Sequence, residues 1–284
     1  MTTIGIVSPG AMGSALGRAW AAGGARVVAT VAGRSARTRG LAHGIELLPS
    51  LDDVVSASDL VVSICPPGAV ESVLADLLSA AGGTGARPVI ADLNAISPGL
   101  VAELADRAEA AGHDFVDGSI SGGPPVPGGD TLVYLSGARA DWLAGQPSDG
   151  IRPRVVGDRP GTASAVKMCT ASVYKGTALL WLNALTTAHR LGVLNVVLAD
   201  LGEEYPEEAS AAVRRIAMAA SKSGRYVAEM QQIAATQESA GVGSALFDGA
   251  AAAYDRVAGT PLADLTPEQA REIDDLVEVL LRLS

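Results

Sequence analysis

Cysteine and histidine are scarce in this chain. Cys65 and Cys169 are the only cysteines in 284 residues, too few for a disulfide framework, and that scarcity points to a reducing, cytoplasmic setting. His43, His113 and His189 are the only histidines, and with no close His/Cys/Asp cluster beside them a metal site built by the protein is not expected. Positive charge is in deficit too. Lys and Arg number 21 against 31 Asp and Glu, a formal net charge of -10, which argues against nucleic acid or an anionic membrane as a partner. Long hydrophobic runs are also missing. The longest apolar stretch, around residues 178–198, is broken by Asn183, His189, Arg190 and Asn195, so no membrane-spanning segment is expected. No basic leader precedes the first apolar run at Ile4, and no export signal is expected.

What is present begins at once. Residues 4–7 form an apolar run short enough for a buried parallel strand, and residues 11–22 have helical length and composition. Between them, Ser8-Pro9-Gly10-Ala11-Met12-Gly13 makes a strand-to-helix turn of small residues. Such a turn presents unpaired N–H groups and the positive end of a helix to a nucleotide pyrophosphate. The G-x-G-x-x-G spelling is incomplete, because Ser8 stands where the first glycine belongs. Close packing of helix on strand is the other use of such glycines.

A second strand over residues 26–31 ends where a dinucleotide's adenosine ribose would lie. A carboxylate there would select NAD. None is present; the chain reads Ala32-Gly33-Arg34-Ser35-Ala36-Arg37-Thr38-Arg39. Guanidinium groups and a hydroxyl suit an additional 2′-phosphate through paired, charge-assisted bonds, so NADPH/NADP+ is the expected cofactor, with Arg34, Ser35 and Arg37 as its contacts.

Strand and helix signals alternate up to about residue 157, after which only helical stretches follow: 163–191, 207–221, 225–239, 244–257 and 267–283. The expected fold is an α/β Rossmann-type doubly wound sheet followed by an all-α helical domain. The expected divisions are a nucleotide domain over 1–160, a long interdomain helix over 161–190 and a helical substrate and dimerisation domain over 191–284. The Ala, Leu and Val content of these helices suits a homodimer interface as well as a core.

Lys167 is the candidate proton donor and acceptor. It lies early in the long helix among apolar neighbours, where desolvation favours its neutral form; a snorkelling surface lysine is the alternative. Thr170 and Tyr174 follow on the same helical face and bring hydroxyls for substrate binding or proton relay. The backbone and hydroxyl of Ser121-Gly122-Gly123 suit an anionic substrate group. Cys65-Pro66-Pro67 ends a central strand at the crevice and is expected to touch the cofactor. Asn94 serves either as a turn former or as an active-site amide.

These blocks resemble the β-hydroxyacid dehydrogenase superfamily, which includes 3-hydroxyisobutyrate dehydrogenases, 6-phosphogluconate dehydrogenases and the related imine reductases. Gly5 to Gly13 is similar to the cofactor motif. Asp92-Leu93-Asn94-Ala95-Ile96-Ser97-Pro98 resembles the segment beside the nicotinamide, which places Asn94 near both cofactor and substrate. Asp117-Gly118-Ser119-Ile120-Ser121-Gly122-Gly123 resembles the substrate block, and residues 161–167 the catalytic block with Lys167 as its lysine. Tyr174-Lys175-Gly176 and Arg225-Tyr226-Val227-Ala228-Glu229-Met230 look like a branch whose C-terminal domain is uncharacterised. Ala171 replaces an asparagine usual in the dehydrogenases. The resemblance implies an NADPH-dependent oxidoreductase acting on a small, carboxylate-bearing carbonyl or hydroxy compound, with imine reduction or non-catalytic NADPH binding as alternatives.

Overall fold

The computed structural model describes residues 1–283. It divides into two compact units, Met1–Met168 and Cys169–Ser284. The first carries the sheet. Its strands are β1 (Thr3–Val7), β2 (Arg26–Ala29), β3 (Glu46–Leu47), β4 (Leu60–Ser63), β5 (Val89–Asp92), β6 (Phe115–Ser121), β7 (Thr131–Ser136) and β8 (Ile151–Gly157). They lie in the order β3-β2-β1-β4-β5-β6-β7-β8. Neighbours are parallel except the antiparallel pair β6 and β7. Chain order reverses direction between β1 and β4, and in such sheets the ligand crevice opens there, beyond the carboxyl ends of the strands.

Alternation along the buried strands supplies a core on each face. Ile4 and Ile6 of β1 join Leu60, Val62, Ala91 and Leu93 on one side, where Leu16 and Trp20 of α1 (Ala11–Ala22) pack. Val7, Val61 and Ile90 face the other way, against Leu74 and Leu77 of α4 (Val70–Thr84) and Val101 and Leu104 of α5 (Pro98–Ala110). Three short helices that the sequence reading omits complete this unit: α2 (Ala36–Leu41), α3 (Leu51–Ala57) and α6 (Ala140–Ala144). A legible signal starts α3, because Ser50 and Asp53 form a capping box. The two sheet edges are poor templates for further strands. β3 has two residues, and β8 exposes Arg152 and Arg154 on either side of Pro153.

The long helix α7 (Thr162–Arg190) starts in this unit, and its first turn is bonded to the sheet. Buried Asp117 of β6 accepts hydrogen bonds from Gly161 N at 2.9 Å, Ser164 N at 3.0 Å, Ser164 Oγ at 2.7 Å and Ser136 Oγ at 2.9 Å. Ser136 Oγ in turn accepts from Ala163 N at 3.0 Å, and Ser119 Oγ donates to Ala163 O at 2.8 Å. First-turn N–H groups that have no partner within their own helix are thereby satisfied from a strand 44 to 47 residues upstream. Gly161 sits at φ +97°, and a Cβ there would meet Pro98 O at 3.2 Å, so the approach to α7 also lies against the start of α5.

The second unit is helical: the rest of α7, then α8 (Leu194–Glu204), α9 (Pro206–Ala220), α10 (Ser223–Ser239), α11 (Ala245–Ala258), α12 (Pro267–Glu272) and α13 (Leu276–Leu281). Leu182, Leu185, Ile216, Val257, Leu262 and Leu280 lie in its core. Glu229 of α10 pairs with both Lys175 of α7 and, at 3.1 Å, Arg225. The Lys175 ammonium lies 4.6 Å from the centroid of the Tyr226 ring, and Tyr254 of α11 donates from its hydroxyl to Lys175 O at 2.8 Å. Three helices are thus tied together by one polar cluster. The single helix expected over 267–283 is instead α12 and α13. Ile273 is extended, and Asp275 accepts from Val277 N at 2.8 Å to cap a new helix. Between residues 191 and 207, where no helix is named from the sequence, lies α8. No helix among the described residues is long and apolar enough to cross a membrane.

Replacing Asp117 by Ala should lower the unfolding free energy by about 3 kcal/mol, because buried donors lose a charged acceptor. Ser164→Ala should cost about 1 kcal/mol, the scale of a lost cap. Urea unfolding measures both, and equal losses would show that other contacts hold the start of α7.

Candidate functional site

The turn from β1 into α1 has the backbone of a phosphate seat. Ser8 is the one non-glycine residue with positive φ, at 65°, among the described residues. This is the position of the missing first glycine, so the turn keeps the glycine conformation with serine in place. Ser8 O accepts from Gly10 N at 2.7 Å. A Cβ on Gly13 would lie 2.7 Å from that same oxygen, so α1 approaches the turn as closely as only glycine allows. Gly10 caps α1 without a side-chain hydrogen bond, which leaves the first-turn N–H groups of Ala11, Met12 and Gly13 directed out of the helix end.

Beside this turn lies a cavity of about 160 Å³ lined by Val7, Ser8, Thr30, Ala32, Arg34, Leu51, Val73 and Asp76. It joins the ends of β1 and β2 to α3 and α4 and carries Arg34 on its wall. These features fit a dinucleotide, with a pyrophosphate at the α1 terminus and an adenosine in the cavity. Thr30, Leu51, Val73 and Asp76 are lining residues that the sequence reading missed; no motif flags them, because the fold alone assembles them. Arg34 and Arg37 are exposed. Ser35 accepts from Thr38 N at 3.2 Å and so caps α2. Arg39 donates to Arg34 O at 2.8 Å, which braces the loop.

At the ends of β4 and β5 a second polar group closes the crevice. Asn94 is 3% exposed and Asp92 5% exposed. Asn94 Oδ1 accepts from Cys65 N at 2.6 Å; its Nδ2 donates to Asp92 Oδ2 at 2.7 Å and to Ser63 Oγ at 3.1 Å. Both amide hydrogens are therefore committed within the protein. Burial pushes the Asp92 carboxyl up to about 7, with Asp117 adding to the rise. Burial, with Asp92 nearby, also pushes the Cys65 thiol up to about 11, which keeps it un-ionised and a poor nucleophile.

Ser121 ends β6 and is half-buried, and exposed Gly122 and Gly123 follow it; Thr131 Oγ1 donates to Gly123 O at 3.2 Å. Lys167 is half-buried, about one and a half turns into α7, on the segment that Asp117 anchors. The structure thus brings together Ser8 to Gly13 with Arg34, and Cys65 with Asn94. Thr170 is half-buried and Tyr174 is 70% exposed, both further along α7 in the second compact unit. Among the described residues, no cluster of three His, Cys, Asp or Glu side chains suits a metal ion.

A parallel sheet with a glycine-turn phosphate seat at its switch point defines a dinucleotide-binding protein. Residues 3–146 match the NAD binding domain of 6-phosphogluconate dehydrogenase, and residues 188–257 match a domain of unknown function, DUF1932. The chain belongs to the β-hydroxyacid dehydrogenase superfamily. Among its relatives, an uncharacterized 28.5 kDa protein of Methanothermus fervidus is 26% identical over 61% of this chain and 66% of its own length. The 2-(hydroxymethyl)glutarate dehydrogenase of Eubacterium barkeri is 30% identical over 34% of this chain and 33% of its own length. The chain thus spans just under two thirds of the first relative and a third of the second. Two solved structures share the fold. The 3-hydroxyisobutyrate dehydrogenase of Mycobacterium tuberculosis superposes with a TM-score of 0.67 at 19% identity, covering 95% of this chain and 98% of that one. An imine reductase from Myxococcus stipitatus in complex with NADP+ gives a TM-score of 0.57 at 20% identity, covering 99% and 100%.

Because Ser8 holds a left-handed backbone, Ser8→Gly should stabilise the protein by about 0.5–1 kcal/mol, and Ser8→Val should destabilise it by about 2 kcal/mol. Thermal unfolding measures both; a neutral valine would mean that the turn relaxes to negative φ.

Proposed function

We propose that the protein is an NADPH-dependent oxidoreductase that interconverts a small carboxylate-bearing carbonyl and its hydroxy compound. The observation that carries this reading is the phosphate seat at Ser8 to Gly13 joined to a cavity with Arg34 on its wall and no carboxylate at the end of β2. Arg34 and Arg37 bind the 2′-phosphate, with Ser35 presenting its hydroxyl to the same group. Ser8, Pro9, Gly10, Ala11, Met12 and Gly13 hold the pyrophosphate, and Cys65, Pro66 and Pro67 bound the crevice on the β4 side. When bound, the nicotinamide supplies or accepts the hydride.

Lys167 holds the mobile proton at Nζ, giving it to the carbonyl oxygen or taking it from the alcohol. Ser121, Gly122 and Gly123 bind the substrate carboxylate through backbone N–H groups and the serine hydroxyl. Thr170 orients the substrate, and Tyr174 serves as a second hydroxyl for proton relay. Asn94 acts through the crevice wall rather than as a free donor. The domain division proposed is a nucleotide-binding body up to residue 160, a connecting helix over 161–190 and a helical substrate and dimerisation body over 191–284. A reducing cytoplasm suits its free thiols.

The helical unit also presents a surface for a second copy of the chain. Val173 and Leu180 are exposed on α7 and Leu191 just beyond its end, and with Thr177, Ala184 and Thr187 they fall at alternating four- and three-residue steps. That spacing makes a straight apolar seam. An open groove of about 410 Å³ lined by Thr177, Leu180, Trp181, Ala184, Leu201, Tyr205 and Glu208 adjoins it. A seam without charge, repeated along one helix, is complementary to itself about a two-fold axis.

Fluorescence titration should show NADPH binding at least tenfold tighter than NADH, with Arg34→Ala and Arg37→Ala removing the preference. Lys167→Ala should retain NADPH binding and lose kcat by about a thousandfold on hydroxy and keto acids, the scale of general acid–base catalysis. Turnover of cyclic imines alone would reassign the chemistry to imine reduction, and binding without any turnover would make it a nucleotide-binding protein. Light scattering should give a dimer that Leu180→Glu converts to monomer; a monomeric parent protein would overturn the seam.

A further inference from the structure

Asp92 has no role in the scheme above, yet it is almost fully buried at the end of β5 and accepts two hydrogen bonds from Asn94. Its Oδ1 accepts from Asn94 N at 3.1 Å and its Oδ2 from Asn94 Nδ2 at 2.7 Å. The Ser63 hydroxyl accepts the other amide hydrogen of Asn94 Nδ2 at 3.1 Å. An ionised carboxylate can only accept, so the nitrogen end of the Asn94 amide must face Asp92. The oxygen end is then turned toward Cys65 N, which it receives at 2.6 Å. Pro66 and Pro67 have no N–H, so Cys65 carries the one backbone donor in Cys65-Pro66-Pro67. The turn at the β4 side of the switch point is therefore fastened by a single donor to an amide whose orientation Asp92 sets.

We propose that Asp92 is a positioning residue of the nucleotide crevice: by fixing the orientation of the Asn94 amide, it locks the Cys65-Pro66-Pro67 turn in the conformation that bounds the nucleotide. The functional consequence rests on the dinucleotide reading of the crevice; the lock itself does not. With Asn at 92, the facing group becomes donor and acceptor at once, the Asn94 amide gains a second orientation, and in that orientation its NH2 opposes Cys65 N–H.

The lock is also sensitive to protons. Burial raises the Asp92 carboxyl to about 7, so its folded-state value lies above that of the unfolded chain. Stability contributed by the neutral form is present at low pH and is lost as pH rises through about 7. Below that point a proton on Asp92 relieves the burial of charge but replaces charge-assisted bonds to Asn94 with ordinary ones. The ionisable groups acting on this cluster are Asp117 from β6, which adds to the rise of Asp92, Cys65 beyond β4, and Arg34, which favours the Cys65 thiolate.

Amide hydrogen exchange at Cys65 tests the proposal. Asp92→Asn should reduce protection of the Cys65 amide about tenfold, the scale of one charge-assisted bond, with Val61 in the middle of β4 unchanged. Equal protection at Cys65 in variant and parent overturns the proposal. Should the variant fail to fold, the parent protein decides: after correction for intrinsic exchange, protection at Cys65 should drop between pH 8 and pH 6, and a flat trace overturns it. NADPH titrations run in parallel should show about tenfold weaker binding by Asp92→Asn at pH 8, with the ratio to parent shrinking toward pH 6, a comparison in which titration of the ligand's own phosphate cancels. No NADPH binding by the parent protein overturns the dinucleotide reading and the proposed consequence for it, whereas loss of Cys65 protection in the variant would still establish the lock.

Discussion

The buried carboxylate of Asp117 is the constraint on which the arrangement of the first unit depends. It lies on β6, which is parallel to β5 on one side and antiparallel to β7 on the other, and accepts four hydrogen bonds, three of them from the approach to α7 and its first turn. Burial alone would raise this carboxyl, and those donors work against the rise. A carboxylate so surrounded replaces the capping side chain that a helix start ordinarily carries next to it in sequence. Because Lys167 follows within the same stretch of α7, the azimuth of its side chain is inherited from a strand rather than from a loop. Side-chain geometry held by rigid elements in this way varies less than geometry held by loops.

The crevice itself is assembled from two turns with opposite solutions to one problem. After β1, the backbone must bend sharply while directing the N–H groups of the first turn of α1 outward, and Ser8 accepts an uncommon conformation to do so. After β4, the chain removes its N–H groups with Pro66 and Pro67 and fixes the remaining one through Asn94. One wall offers donors to a ligand, and the other withholds them.

Much of this was legible in the residues. The strand-turn-helix at the start, the change from alternating elements to helices alone, and the long helix beginning near residue 162 follow from periodicity and composition. Ser8 was recognisable as the departure from the glycine pattern, and its positive φ shows that the pattern's conformation outlasts its spelling. The short helix α2 was not legible, because its six residues bury none of their number and carry almost no period of their own. The break between α12 and α13 lies in an Asp274-Asp275 pair, where a local cap outweighs a continuous apolar pattern. Asp92 and Asp117 both stood within recognisable blocks, yet their tasks depend on partners such as Cys65, reached through Asn94, and Ser164, which are far away in the chain. Sequence spacing carries no information about which buried donors meet.

The borders of the sheet have a consequence for how this protein can associate. β3 ends after two residues, with Arg26 and Glu46 paired across its start, and β8 interrupts its outer ladder with Pro153 between two arginines. Both margins are poor templates for a foreign strand, which disfavours growth of the sheet from chain to chain. Crowded copies of this molecule are thereby steered away from open-ended polymerisation, and finite, closed assemblies made through side chains are the outcome that this topology permits.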